Sequence, residues 1–199
     1  DNYVDNLSDL YSRLALYKYF TLVKTHRYFS NVQGLIKRKQ VIAFMTHRDI
    51  RDVVVSLYQK GWVEEVGDFI DSKDLKQIAF SSCAYAKMKE MNIISYQELM
   101  DDPKSVISFV CNKLDIKLDE QQIDAIVNSV SKENVRKKIR GIETDNKSES
   151  SLDKSTGLHK GHINDGGTGK WREILSTSES NAIAAECHDY LSYFGYENE

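Results

Sequence analysis

Proline is nearly absent from this 199-residue sequence, cysteine is sparse, and no apolar run is long. With one proline, 41% hydrophobic and 29% charged residues, the composition is that of a globular domain and excludes a disordered chain. Cys83, Cys111 and Cys187 are odd in number, far apart and without CxxC spacing. That pattern argues for thiols in a reducing interior and against both a disulfide framework and a metal site. No stretch of about 20 apolar residues exists, so no transmembrane helix is expected, and no signal-peptide pattern is visible. The formal net charge of −3 removes bulk electrostatic attraction to nucleic acid, and any anion site must be local. No internal repeat is found. A length near 200 residues fits one domain with a substantial core.

What is present is most informative from Val41 to Tyr58. Val41, Ile42, Ala43, Phe44 and Met45 read as a buried strand. Asp49 and Asp52 then open a helical pattern that runs to Lys60 and stops at Gly61. Arg48 sits at the switch from strand to helix. The carboxyl ends of strands in an α/β sheet, where helices begin, are where anionic ligands bind.

Other elements follow from periodicity and punctuation. Residues 5–18 form an amphipathic pattern capped by Asn6 or Ser8, and residues 19–26 are β-branched and aromatic, as in a short strand. A polar, glycine-containing segment spans 31–40. A long helix is expected over 70–91 and a strand over 92–96. Further helices are expected over 102–113, 119–129 and 132–139. Residues 141–169 lose apolar periodicity and gain Ser, Asp, Lys and Gly, as in a functional lid or a disordered segment. A last helix is expected over 179–194, capped by Thr177 or Ser178 and stopped by Gly195. Alternating strands and helices predict an α/β fold with a parallel β-sheet flanked by helices, in a single domain over 1–199.

Three groups of residues carry chemistry. With Asp49 to Ser56 helical, Arg48 and Ser56 lie roughly 12 Å apart along the axis at about 1.5 Å per residue, a span one phosphate can bridge with an extended arginine. The alternative is an Arg48–Asp52 ion pair and a serine bonded to a helix carbonyl. Lys24 and His26 share one face at a strand end, a cation beside a base. The alternative there is a polar loop with solvated charges. His159, Lys160, Gly161 and His162 precede Gly166-Gly167-Thr168-Gly169-Lys170-Trp171. Two histidines three apart lack further ligands for zinc. The glycine run also fails the GxxxxGK[ST] spacing of a Walker A loop.

In this order the groups resemble the cytosolic-type sulfotransferases, which use 3′-phosphoadenosine 5′-phosphosulfate. Lys24-Thr25-His26 is similar to the Lys-Thr/Ser-His strand end whose histidine is the catalytic base. Arg48 to Tyr58 resembles the Arg-Asp/Asn-Pro-x-Asp-x-x-x-Ser-x-Tyr motif for the 3′-phosphate, with Ile50 in place of proline. Ser95-Tyr96-Gln97-Glu98-Leu99 resembles a strand whose tyrosine borders the adenine. Ser131-Lys132-Glu133-Asn134-Val135 resembles a Ser-Phe-Glu-x-Met segment, with Lys132 replacing a stacking phenylalanine. His159-Lys160-Gly161 resembles an Arg-Lys-Gly phosphate grip, and Gly169-Lys170-Trp171 the turn after it.

The resemblance implies a P-loop-nucleoside-triphosphate-hydrolase-like sulfotransferase fold and sulfuryl transfer to a hydroxyl or amine. It implies His26 and Lys24 as catalytic residues, and Arg48, Ser56, Tyr96, Ser131, His159, Lys160 and Gly161 as cofactor-binding residues. No metal is required, the location implied is cytoplasmic, and the acceptor is a small molecule or a saccharide. Tyr28, Phe29 and Trp62 are candidate acceptor-lining aromatics. The family's Pro-Lys-Ser-Gly-Thr-Thr-Trp phosphate loop has no counterpart before Lys24, where the first twenty residues hold no glycine. It is expected upstream of Asp1, the alternative being that this chain has lost it. A non-catalytic member of the same fold, or a nucleotide kinase with an upstream Walker A lysine and Mg²⁺, are the competing readings.

Overall fold

The computed structural model describes residues 22, 24–25, 28–144 and 167–197. Two strands, β1 (Phe44–His47) and β2 (Asn92–Ser95), pair in parallel with Phe44 opposite Asn92 and His47 opposite Ser95. The alternation of strand and helix read from the sequence is realised in an α/β fold whose two described strands run parallel. Between the strands run α2 (Ile50–Gln59), α3 (Val66–Asp71) and α4 (Lys73–Ala86). Before them lies α1 (Ser30–Lys37). After β2 come α5 (Tyr96–Asp101), α6 (Pro103–Lys113), α7 (Glu120–Ser129) and α8 (Lys132–Thr144). The C-terminal part holds α9 (Trp171–Ile174), α10 (Thr177–Glu186) and α11 (His188–Phe194).

The core forms where α2, α3, α4, α10 and α11 meet. Ile50 and Val54, four residues apart on one face of α2, are fully buried, as are Leu75 of α4 and Ile183 of α10. Tyr190 and Leu191 of α11 complete this cluster. Burying side chains of this size is the main stabilising term, about 1.5–3 kcal/mol each relative to exposure.

Several boundaries differ from those expected. The segment 31–40 is mostly helical, because Leu35 and Ile36 bury themselves against the fold. The helix expected over 70–91 is two helices. Ser72 is extended at ψ 155° and its hydroxyl accepts from the Leu75 amide at 3.4 Å, ending α3 and capping α4. Tyr96 is not in β2, since Ser95 forms a capping box with Glu98 that starts α5. The final helix is capped by Ser176, not by Thr177 or Ser178, and breaks at Cys187. Residues 141–144 continue α8 and are not loop.

Of the strand expected over 19–26, the described residues Leu22, Lys24 and Thr25 lie outside any strand. The helix expected over 5–18 lies outside the described residues. At Tyr28 the chain is fastened to α4: its amide donates to Ser81 Oγ at 3.1 Å and its ring packs on Tyr85 at 4.9 Å between centroids.

Candidate functional site

The parallel register sets the site. His47 pairs with Ser95, so the next residues, Arg48 and Tyr96, leave the two strand ends side by side. The Arg48 guanidinium carbon lies 4.6 Å from the Tyr96 ring centroid, a cation–π contact. These two residues line a cavity of about 300 Å³ together with Asp49, Asp52, Gln97, Thr168, Gly169, Arg172 and Tyr196.

Asp49 caps α2, accepting from the Arg51 amide at 2.9 Å. The same carboxylate takes two bonds from Arg51 Nε and one from Nη2, the last at 2.6 Å. Arg51 Nη2 also donates to the Tyr196 carbonyl at 2.8 Å, and the guanidinium lies 3.8 Å from the Trp171 ring centroid. Arg172 approaches the same ring at 4.5 Å.

Asp52 is 1% exposed and joins α2 to the segment before α9. It accepts from the Gly169 amide at 2.7 Å and the Trp171 amide at 3.1 Å, and pairs with Arg48 at 3.4 Å. Gly169 is favoured at this turn by its φ of +76°, where any side chain would be strained. Arg48 Nη2 donates to the Gly167 carbonyl at 2.5 Å, while Arg48 Nε is buried with no hydrogen-bond partner.

The Arg48 backbone is clamped by Tyr190, whose hydroxyl donates to its carbonyl at 2.6 Å. Burial pushes the Tyr190 phenol well above its ordinary value, so it remains a donor. His47 stacks on Phe194 at 4.2 Å and meets the Tyr196 hydroxyl through Nδ1 at 3.0 Å. Burial lowers the His47 pKa, with Glu98 acting in the opposite sense.

Of the residues singled out from the sequence, Arg48 and Tyr96 come together in the cavity, and Gly169 lines it too. Ser56 stands half-buried on α2 and Ser131 immediately precedes α8, where its hydroxyl accepts from the Asn134 amide at 3.4 Å. Neither lines the cavity. The Arg48–Asp52 ion pair, given from the sequence as the alternative to a phosphate clamp, is present. Lys24 is exposed. His26, His159, Lys160 and Gly161 lie outside the described residues. Gln97 and Thr168 entered from the sequence only as members of motifs, and Arg172 and Tyr196 were not singled out. Arg172 directly follows the Gly169-Lys170-Trp171 turn and was open to detection there; nothing local marks Tyr196.

The cavity is suited chemically to an anionic ligand that carries a ring. Two arginines reach it, Arg48 keeps one buried donor unmatched, and an aromatic ring is already held flat by a cation. Its two carboxylates are matched within the protein, Asp49 by Arg51 and Asp52 by two amides and Arg48. Among the described residues no group of His, Cys, Asp and Glu has the arrangement of a metal site, and no helix is long and apolar enough to cross a membrane.

Comparison with known proteins adds the family. The profile of the sulfotransferase domain matches residues 4–195. No curated protein matches by sequence. Among solved structures, the chain is similar to the mouse sulfotransferase SULT7A1 complexed with PAP, at TM-score 0.67 and 14% identity over 90% of this chain and 68% of that one. It is also similar to retinol dehydratase in complex with androsterone and the inactive cofactor PAP, at TM-score 0.63 and 20% identity over 90% of this chain and 56% of that one. A complex of retinol dehydratase with retinol and PAP gives TM-score 0.56 and 18% identity, covering 79% and 49% of the two chains. The chain thus spans about half to two thirds of the length of these proteins.

Proposed function

The chain belongs to the sulfotransferase family, and from that membership we propose that the protein transfers a sulfuryl group from 3′-phosphoadenosine 5′-phosphosulfate to an acceptor hydroxyl or amine. The observation that carries the reading is the Arg48 guanidinium on the Tyr96 ring at paired strand ends, facing a cavity with a buried arginine donor still to be matched. Structures similar in fold contain PAP, which supports a nucleotide of this kind here.

In this proposal Arg48 holds the 3′-phosphate through charge-assisted hydrogen bonds, with Ser56, Ser131, His159, Lys160 and Gly161 completing the grip. Tyr96 borders the adenine. The donor supplies an activated sulfuryl group with adenosine bisphosphate as the leaving group. Lys24 offsets negative charge on the transferring group, the electrostatic task that dominates such reactions. His26 takes the proton of the acceptor hydroxyl, a contribution of about 10²–10⁴-fold. The single domain proposed over 1–199 includes 141–169 as the segment that covers the nucleotide and excludes water. The location is proposed as cytoplasmic.

Calorimetry with 3′,5′-adenosine bisphosphate on the full-length protein tests the reading. Binding is expected, weakened about tenfold or more by Arg48→Ala, since a charged hydrogen bond contributes on the order of 1.5–3 kcal/mol. No binding, or unchanged binding in both Arg48→Ala and Ser56→Ala, overturns it. Transfer retained in His26→Ala at neutral pH rejects that residue as the base.

A further inference from the structure

The charged residues that line the cavity are Arg48, Asp49, Asp52 and Arg172, equal in number by sign but not equally matched. Asp49 is paired with Arg51 at 2.6 Å, a residue that lines no part of the cavity. Asp52 faces Arg48 at 3.4 Å, and the same Arg48 nitrogen donates to the Gly167 carbonyl. The charge of Arg48 is therefore largely neutralised within the protein. That of Arg172 is not: among the described residues its guanidinium makes neither an ion pair nor a hydrogen bond. With both carboxylates matched, the cavity keeps one uncompensated positive charge, and Arg172 carries it.

Local chemistry holds that charge in place. The chain turns at Gly169, and α9 starts two residues later at Trp171. The Arg172 side chain folds back over the turn: a Cβ on Gly169 would stand 2.6 Å from Arg172 Nη1, so the guanidinium lies against the Gly169 backbone. The guanidinium carbon is 4.5 Å from the Trp171 ring centroid. Trp171 is itself fixed, by its amide bond to Asp52 at 3.1 Å and by Arg51 at 3.8 Å from its ring. Packing on an indole orients a guanidinium without using its N–H donors. Arg48 bonds the Gly167 carbonyl and Arg172 lies against Gly169, so the two cations flank one short turn of the cavity wall.

We propose that Arg172 is a second anchor for the 3′-phosphate of the nucleotide, and the residue that sets the preference for adenosine bisphosphate over the same nucleoside without that phosphate. This inference rests on the nucleotide reading above. A phosphate held by Arg48 stands close to Asp52 as well, and that carboxylate offsets much of the attraction Arg48 exerts. A guanidinium with no carboxylate of its own supplies the missing attraction, and its fork offers paired hydrogen bonds to phosphate oxygens. Because the fork is already held on Trp171, little side-chain freedom is lost when the phosphate arrives. No bond is made or broken at this end of the nucleotide; Arg172 binds and orients.

Calorimetry of the full-length protein with 3′,5′-adenosine bisphosphate is read first, followed by displacement of that ligand with adenosine 3′-monophosphate and with adenosine 5′-monophosphate. Arg172→Met is expected to weaken the bisphosphate and the 3′-monophosphate about tenfold, and to change the 5′-monophosphate by less than about twofold. Arg172→Lys, which keeps the charge without the fork, should fall between the parent and Arg172→Met. The difference between parent and Arg172→Met should shrink as salt is added. Bisphosphate binding unchanged in Arg172→Met, or both monophosphates weakened equally, overturns the proposal; the second outcome also covers a variant that has only lost structure. If the unsubstituted protein does not bind the bisphosphate, the nucleotide reading fails and this inference with it. If it binds and the preference for the 3′-phosphate survives Arg172→Met, only the role of Arg172 fails.

Discussion

Asp52 illustrates how one buried carboxylate joins distant parts of the chain. Its oxygens accept from two amides some 117 and 119 residues away and face Arg48 as well. Replacing it with alanine strands those amides and leaves Arg48 short of a counter-charge. Asp52→Ala is expected to lower stability by about 1–3 kcal/mol in urea denaturation and to weaken adenosine bisphosphate binding through a displaced Arg48. A variant as stable as the parent would remove Asp52 from this role. His47 gives a pH signature at the same scale. Burial holds its folded-state pKa below the ordinary 6.5, so the unfolded chain binds the proton more readily. Its contribution is therefore complete above pH 6.5 and is lost as the pH falls from there through the lowered folded value. Melting temperature should drop on acidification across this window, and drop less in His47→Gln, which keeps a hydrogen-bonding group for the Tyr196 hydroxyl but does not titrate. An equal drop in both proteins would assign the effect elsewhere.

At the scale of elements, some helix ends marked by side-chain chemistry were legible, but the caps at Ser72, Ser95 and Ser176 were not. Asp49 and Gly61 bracket α2, and the Asp102-Pro103 and Asp119 starts of α6 and α7 are real caps. Ser72 escaped notice because the apolar pattern continues across it: Val66 and Ile70 on one side and Leu75 and Ala79 on the other all enter one core. The α1 helix was hidden for the opposite reason, since its polar segment has only Leu35 and Ile36 deeply buried. In the site, Arg48 and Tyr96 were legible as strand-end residues, and their contact follows from the parallel register. Arg172 was within reach of a sequence reading, directly after the Gly169-Lys170-Trp171 turn, whereas Tyr196 reaches the same cavity through the packing of α11, which no local pattern encodes. The C-terminal helices show how much rests on that packing. Ile183 of α10 is fully buried in the core, so Ile183→Ala should cost about 2–5 kcal/mol. Ser176→Ala, which removes only the capping box, should cost about 1 kcal/mol. Thermal or urea denaturation of the two variants checks the order; comparable losses would mean α10 is held by its cap and not by its buried face.

Across the whole molecule, the stretch 167–197 is bound to α2 by a buried ion pair as well as by the core. Arg51 is 5% exposed and Asp49 4% exposed. Arg51 satisfies that carboxylate, lies against Trp171 of α9 and bonds the backbone at Tyr196, so three parts of the fold depend on one guanidinium. A buried pair of this kind contributes little compared with an apolar replacement, yet removing one partner is costly because the other charge stays buried. Arg51→Met leaves Asp49 without its counter-ion and should destabilise the protein by about 3–5 kcal/mol. Asn is as good an N-cap as Asp, so Asp49→Asn keeps the cap of α2 while removing the charge. The double variant Asp49→Asn/Arg51→Met should therefore recover part of the loss, giving a coupling between the two sites in a double-mutant cycle. Tryptophan fluorescence should report the change, because Trp171 loses the cation at 3.8 Å from its ring. If the two substitutions simply add, the pair is not what couples the C-terminal segment to α2, and the joint must be assigned to Asp52 and the apolar core alone.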